Sequence, residues 1–236
     1  MKGKVAFITG GSKGIGYGIA ESLAQEGVHC ILTSRTQKSA DEAAKEISKK
    51  YNVKCIGIEA NVRSYEAVQN SVDKVLKKFG QIDYVIANAG LGHFGSIQDL
   101  SIEQWQEVIE TNLSGVFYTI KSTVDALIES KGYFISISSL AGSNFFAGGA
   151  AYNASKFGVT GFTQAVMLDL RQKDVKVSTI MPGSVSTYFN GNEPDNSDSW
   201  KIQIEDLGEL VVDLIKMNPR TLPSKIEVRP SKPPKK

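Results

Sequence analysis

The chain has 236 residues, 41% of them hydrophobic, with 27 Lys and Arg against 25 Asp and Glu, 22 Gly and 2 Cys. That length supports one sizeable core, and the composition excludes a disordered, collagen-like or disulfide-stapled chain. The net charge of +2 is concentrated at the end, in Arg229, Lys232, Lys235 and Lys236, so the rest of the chain is slightly acidic and offers no basic face for nucleic acid.

Short apolar runs at 4–9, 28–34, 53–58, 82–87, 132–138, 175–181 and 225–229 read as strands, and helical periodicity fills most of the gaps between them. Val5-Ala6-Phe7-Ile8 and Tyr84-Val85-Ile86-Ala87 are apolar without alternation, as expected of strands covered on both faces. Repeated strand–helix–strand units with right-handed crossovers predict an α/β fold: a doubly wound, mostly seven-stranded parallel sheet, Rossmann-like, with helices on both faces. One domain is expected over residues 1–228, followed by a solvated, mobile basic tail over 229–236. Residues 184–203 are rich in Ser, Asn, Asp and Gly just past a strand, and that length marks a candidate substrate lid.

No stretch approaches the roughly 18 uncharged apolar residues a membrane span needs. Met1-Lys2-Gly3-Lys4 runs directly into the first strand, and Cys30 and Cys55 lie in apolar runs where reduced thiols act as small hydrophobes. A cytoplasmic protein without membrane contact is therefore expected. The two histidines, His29 and His93, have no Cys or carboxylate cluster at ligand spacing, so no metal is expected.

Directly after the first strand comes Thr9-Gly10-Gly11-Ser12-Lys13-Gly14-Ile15-Gly16, and a helical pattern follows. A helix N-terminus presents unpaired N–H groups and partial positive charge, and glycines let a pyrophosphate approach the backbone. A nucleotide is the expected guest, although the glycines alone could serve only a tight turn. Near the end of the second strand, Thr33-Ser34-Arg35 stands where an acidic residue would bind an unphosphorylated ribose. Lys13 and Arg35 can instead converge on a 2′-phosphate, which favours NADP(H) over NAD(H). The duller alternative is a pair of solvated surface cations.

Tyr152 and Lys156 are four residues apart at the start of a helical stretch and so share one face. Ser139 lies thirteen residues before Tyr152 at a strand exit, and Asn112 sits in Glu110-Thr111-Asn112-Leu113. Singly, each has an ordinary structural reading: packing aromatic, snorkelling cation, turn former, polar helix residue.

Together these motifs, in this order, resemble the short-chain dehydrogenases/reductases over nearly the whole chain. Thr9-Gly10-x₃-Gly14-x-Gly16 is similar to the family's cofactor turn, which accounts for a spacing other than G-x-G-x-x-G, and Asn88-Ala89-Gly90 is similar to its fourth-strand motif. Asn112, Ser139, Tyr152 and Lys156 match the type and spacing of its catalytic tetrad. Pro182-Gly183-x₃-Thr187, with Val185 inside it, matches the segment that clasps nicotinamide. The resemblance further implies that Lys13 and Arg35 are the basic pair of NADP-preferring members and that Asn61-Val62 contacts adenine. Asn61 departs from the usual Asp but keeps an amide oxygen for the adenine amino group. Ala87 replaces a common Asn.

A phenol with pKa near 10 needs help to exchange protons at neutral pH, and a neighbouring ammonium lowers such a pKa by roughly 1–3 units. Tyr152 is thus expected as the general acid/base, acidified by Lys156, while Ser139 hydrogen-bonds the substrate oxygen. The resemblance assigns Lys156 also to the ribose hydroxyls and Asn112 to a water relay. Substrate identity is expected in the loops at 91–97, 140–150 and 184–203. Leu91, Phe94, Leu140, Asn144, Phe145, Phe146, Tyr188 and Phe189, with Ser139 and Tyr152, suggest a partly aromatic pocket, and His93 reads as pocket wall or surface rather than as an acid.

The expected partner is a small carbonyl or alcohol substrate. A 3-oxoacyl thioester reductase of the same fold, or a dinucleotide-binding scaffold without turnover, are the alternatives. The resemblance also implies a homo-oligomer, dimer or tetramer. Because Ile226-Glu227-Val228-Arg229-Pro230 lacks the family's Asp-Gly-Gly close, contact through the long helices is the expected interface.

Overall fold

The computed structural model describes residues 1–234; Lys235 and Lys236, the last cations of the basic tail, lie outside the described residues. Seven parallel strands, β1 (Val5–Ile8), β2 (His29–Ser34), β3 (Cys55–Glu59), β4 (Tyr84–Ala87), β5 (Tyr133–Ile137), β6 (Lys176–Pro182) and β7 (Lys225–Val228), form one sheet in the order β3-β2-β1-β4-β5-β6-β7. Seven helices join them: α1 (Gly14–Gln25), α2 (Gln37–Tyr51), α3 (Tyr65–Phe79), α4 (Ile102–Ile109), α5 (Gly115–Ser130), α6 (Ala150–Leu170) and α7 (Ile204–Lys216). Each strand falls on one of the seven apolar runs, within two residues at either end.

Why the strands read as unbroken apolar runs is visible in β1. Ala6 and Ile8 pack into the layer that contains α1, α2 and α7, whereas Val5 and Phe7 pack into the layer of α3, α5 and α6. Period-2 alternation is present in the backbone but masked in the sequence, because both faces are buried. Helix starts follow their local chemistry. Thr36, Ser64 and Ser101 accept the N–H of Ser39, Ala67 and Gln104 as N-caps, and Gly80 and Asn52 close α3 and α2 in left-handed conformation.

One buried carboxylate fixes the lower end of the sheet. Asp83, 2% exposed, accepts hydrogen bonds from Lys4 Nζ (2.7 Å), the Val5 N–H (2.8 Å) and Gln81 Nε2 (2.7 Å), tying β1 to the start of β4. At the opposite end, strand order reverses between β1 and β4, and the adjoining loops part to leave a crevice.

Two segments are held to the body of the fold. Residues 184–203 form a stapled excursion: Val185 pairs with Ile202, Ser186 Oγ donates to Asp198 Oδ2 (3.1 Å), and short 3₁₀ turns occupy Phe189–Gly191 and Asn196–Trp200. The tail is tied down where it begins. Arg229 pairs with Glu227 at 2.9 Å, Glu227 accepts from Ser143 Oγ at 3.0 Å, and Pro230 lies against Gly183. Among the described residues, no helix is long and apolar enough to cross a membrane, and no group of three or more His, Cys, Asp or Glu could hold a metal ion.

Candidate active site

The crevice begins at the turn between β1 and α1. Gly10 and Gly14 adopt positive φ (63° and 60°), which glycine tolerates without strain. Gly16 is required for another reason: a Cβ there would lie 2.5 Å from Asn88 Nδ2 and 2.6 Å from the Gly10 carbonyl. Asn88 uses that space to donate to the carbonyls of Thr9 (2.9 Å) and Gly10 (3.1 Å), while Thr9 Oγ1 accepts the N–H groups of Asn88 and Ala89. The ends of β1 and β4 are thereby locked together.

Against this rigid frame, α1 begins without a side-chain cap. Lys13 occupies its N-cap and makes no capping bond, and the first turn carries no acidic residue. Unpaired N–H groups and the positive end of the helix dipole therefore face the crevice, the donor set a pyrophosphate needs. Ile15 packs down on the core behind the turn. Across the gap stands Thr187, whose side chain lies 3.6 Å from where a Gly14 Cβ would be. Its segment hangs from Pro182 and Gly183, where the Gly183 N–H donates to the Val228 carbonyl (2.8 Å), and from the Val185–Ile202 bridge.

Beside the glycine turn, a crevice of about 410 Å³ is lined by Lys13, Arg35 and the hydroxyl-bearing Ser12, Ser34, Thr36 and Ser39. Ser12 Oγ donates to Ser34 Oγ at 3.2 Å, and Thr36 caps α2, whose N-terminus opens here. Two carboxylates, Glu42 and Glu46, line the same space. Val62 is buried and Asn61 exposed. The Asn61 amide oxygen accepts the Arg63 N–H at 3.1 Å and keeps a second lone pair for another donor.

Ser139, Tyr152 and Lys156 converge where β5 meets α6. Ser138 locks that junction, donating to the Lys156 carbonyl (3.1 Å) and bonding Thr160 Oγ1 (2.9 Å). Ser139 Oγ accepts the Ala141 N–H at 3.1 Å. Burial pushes the Tyr152 phenol above its ordinary pKa, and a hydrogen bond from Ser139 pulls against that rise. Lys156 is 5% exposed; burial lowers its pKa from 10.5 to about 8. Its Nζ donates to the Ile137 carbonyl at 3.0 Å and sits 5.7 Å from the centre of the Tyr152 ring. Desolvation raises the phenol and lowers the lysine, so burial acts against the charged form of both.

Asn112 lies in a π-helical turn, Glu110–Ser114, that joins α4 to α5. Such widened turns concentrate at functional sites. Its amide makes three hydrogen bonds. Oδ1 accepts the Leu91 N–H (2.9 Å), and Nδ2 donates to the Leu91 carbonyl (2.8 Å) and Ser155 Oγ (3.0 Å). Gly90 fills the space between Asn112 and the Lys156 ammonium, and a Cβ there would lie 3.6 Å from Nζ.

The short chain dehydrogenase family matches residues 4–198. The chain belongs to this family. It is 32% identical over 231 residues to an uncharacterized oxidoreductase of Staphylococcus saprophyticus, covering 98% of each chain. It is also 32% identical over 188 residues to a 3-oxoacyl-[acyl-carrier-protein] reductase of Aquifex aeolicus, covering 79% of this chain and 76% of that protein. Among solved structures, an alcohol dehydrogenase from Thermococcus sibiricus complexed with 5-hydroxy-NADP aligns with a TM-score of 0.92 at 31% identity, covering 99% of both chains. A metagenomic short-chain oxidoreductase in complex with NADP aligns with a TM-score of 0.86 at 30% identity, covering 98% and 99%.

In this short-chain oxidoreductase the mouth of the crevice is aromatic. Phe94 stands edge-on to Tyr152, with ring centres 5.4 Å apart, and contacts Phe146 (5.9 Å) and Phe189 (6.4 Å); Phe189 also lies 5.7 Å from Tyr152. Phe189 and Tyr152 therefore share the pocket as expected, and Leu140 borders Gly183. Two residues do not join them. Phe145 is 86% exposed and points away, its neighbour Phe146 taking the place, and the Tyr188 ring lies 5.6 Å from Lys13 Nζ on the cofactor side. His93 binds Glu107 through Nε2 at 2.8 Å, and Glu107 also pairs with Arg63, so the ring is held by α4. The sequence reading missed Asn153, which donates to the carbonyls of Ala141 and Asn144 (both 2.8 Å) and shapes the 141–144 loop. Its position next to Tyr152 was the only available signal.

Proposed function

We propose that the protein is an NADP(H)-dependent carbonyl reductase, equally an alcohol dehydrogenase in the reverse direction, acting on apolar or aromatic carbonyl compounds. The observation that carries this reading is the grouping of Ser139, Tyr152 and Lys156 across the crevice from the uncapped start of α1.

The residues present fit a dinucleotide. Glycine backbone and α1 would hold the pyrophosphate, Lys13 and Arg35 the 2′-phosphate, and Pro182, Gly183, Val185 and Thr187 the nicotinamide end. When bound, nicotinamide supplies or accepts the hydride. A phenol whose pKa is raised stays protonated at neutral pH, so Tyr152 is poised to donate its proton to the oxygen of a carbonyl under reduction. Ser139 bonds the same oxygen, and that bond strengthens as negative charge develops. Lys156 holds the ribose hydroxyls, and Asn112 fixes the Leu91 loop beside it. Complexes of NADP with the similar structures support the cofactor assignment.

The rings of Phe94, Phe146 and Phe189 around the phenol favour flat or apolar substrates. A second reading, reduction of 3-oxoacyl thioesters, is favoured by the similarity to reductases of that name. For assembly we assign a homodimer through α5 and α6, where Phe117, Phe157 and Leu168 remain 43–53% exposed.

The deciding experiment follows NADPH oxidation with aryl ketones, aliphatic ketones and a 3-oxoacyl thioester, using wild type and Tyr152→Phe. Wild-type turnover of the aromatic class, lost by about 10²-fold or more in Tyr152→Phe with NADPH binding retained, is the expected result. Turnover of the thioester alone replaces the substrate class. Turnover of none refutes the enzymatic reading.

A further inference from the structure

Cys30 and Cys55 are far apart in sequence and directly opposite each other in the sheet, as register partners on the parallel strands β2 and β3. Neighbouring strands lie roughly 4.8 Å apart, inside the range of about 4.4–6.8 Å that disulfide-linked Cα atoms occupy. Register partners present their side chains to the same face, and both cysteines pack into the layer of α1 and α2. The two thiols are free.

The pair is asymmetric. Cys30 is fully buried, its Sγ donating toward the carbonyls of Ala20 (3.6 Å) and Val28 (3.7 Å). Cys55 is half-buried and lies in the floor of an open groove of about 720 Å³ between α2 and α3. Lys45 and Lys49 of α2 and Lys74 and Lys78 of α3 border that groove, with Asp41 as its one carboxylate. Among the described residues none of these four lysines pairs with a carboxylate. The groove thus surrounds the accessible sulfur with uncompensated positive charge, which favours a thiolate and attracts anions.

We propose that Cys55 and Cys30 form a reversible dithiol–disulfide site, with Cys55 as the attacking thiol, Cys30 as the resolving thiol, and a small anionic disulfide as the oxidant drawn in by the lysine-rimmed groove. The Cys55 thiolate, its proton lost to water, attacks one sulfur of RS–SR, forming a mixed disulfide and expelling RS⁻. Cys30 then loses its proton and attacks the Cys55 sulfur, forming the Cys30–Cys55 bond and expelling the second RS⁻. The protein loses two electrons and two protons, and the oxidant becomes two thiols. The neighbouring Cys30 holds the Cys55 thiol below its ordinary pKa, and Cys30 is raised by Cys55 and by its own burial, so resolution is the slower step. In a reducing compartment the site rests as a dithiol and responds to oxidation. This site lies on the opposite side of α2 from any role in hydride transfer assigned above and stands independently of it.

The test treats the reduced full-length protein with glutathione disulfide, alkylates remaining thiols at intervals and maps peptides without reduction. Wild type is expected to show a transient glutathione adduct on Cys55, then an intrachain Cys30–Cys55 link that dithiothreitol reverses. Cys30→Ala should accumulate the adduct instead of resolving it. The double variant Lys45→Glu, Lys74→Glu should react with glutathione disulfide at least about threefold more slowly, yet with uncharged hydroxyethyl disulfide within about twofold of wild type. A stable wild-type adduct, a link between chains, or no reaction of Cys55 in the folded protein overturns the proposal, and the wild-type arm decides this even if a variant misfolds. Equal slowing with both disulfides overturns the role of the lysines.

Discussion

Lys156 should make the protein less stable at neutral pH than a methionine in its place. Burial lowers its pKa from 10.5 to about 8. At about 1.4 kcal/mol per unit, keeping the ammonium charged in this site at pH 7 destabilises the fold by about 3 kcal/mol relative to the neutral amine. Lys156→Met removes the charge but loses the Nζ bond to the Ile137 carbonyl, a loss of about 1–2 kcal/mol. The net expectation is a gain of about 1–2 kcal/mol, or roughly 2–8 °C in Tm for a chain of this size. Its pH dependence is the sharper signature. Between pH 8 and 10.5 the unfolded chain holds a proton that the folded chain does not, so wild-type stability rises through this window and levels off above it. The variant lacks that rise, and its advantage shrinks as pH increases. Urea denaturation of both proteins, without nucleotide, at intervals from pH 7 to 10.5 measures it. A variant less stable at pH 7, with a difference that stays flat to pH 10.5, would refute the argument that the crevice holds a strained cation.

Arg35→Asp should weaken NADPH binding by about tenfold or more while changing NADH by much less, since a carboxylate at the hydroxyl-lined crevice repels only the extra phosphate; titration of nucleotide fluorescence tests this, and equal losses would overturn the assignment. Phe94→Ala removes the ring that contacts Tyr152, Phe146 and Phe189, and at about 0.5–1.5 kcal/mol per aromatic pair it should raise KM for an aryl ketone by about tenfold with a smaller change for a short aliphatic one. Steady-state kinetics on the two ketones measure the difference. Asp83→Ala leaves the Val5 N–H without its carboxylate partner at a buried position and should lower stability by about 3 kcal/mol, read in urea, without altering NADPH affinity of the folded fraction.

How much of this was legible in the sequence depended on whether a signal was local. All seven strands were visible because a parallel strand buried on both faces is a short apolar run with turn residues at its ends. Gly10, Gly14 and Gly16 were visible because backbone geometry and close approach leave little alternative. What stayed hidden was set by contacts across long sequence separations. Nothing in the order Asn144-Phe145-Phe146 tells which ring turns inward; Phe94, some fifty residues earlier, decides it. The π-helical turn at Asn112 carries no Pro or Gly to announce it. The excursion at 184–203 reads as a loop, since the Val185–Ile202 bridge and the Ser186–Asp198 bond pair residues that are individually unremarkable in a polar stretch.

Hydrogen-bond saturation separates the residues that build the crevice from those left free to act in it. Thr9 Oγ1 and the side-chain N–H₂ groups of Asn88 and Asn112 are bonded within this chain, so what each gives the site is position. By contrast, the start of α1 has no cap, and Lys156 is a buried cation with a single carbonyl partner. The Tyr152 phenol is raised by burial, and the Ser139 hydroxyl opposes that rise. Groups held in this unspent state are expensive for stability and are retained only where something outside the chain completes them. On this criterion the Asn112 amide positions the Leu91 loop. Under the proposed function the chemistry rests on the three groups at the β5–α6 junction and on the open helix end opposite them.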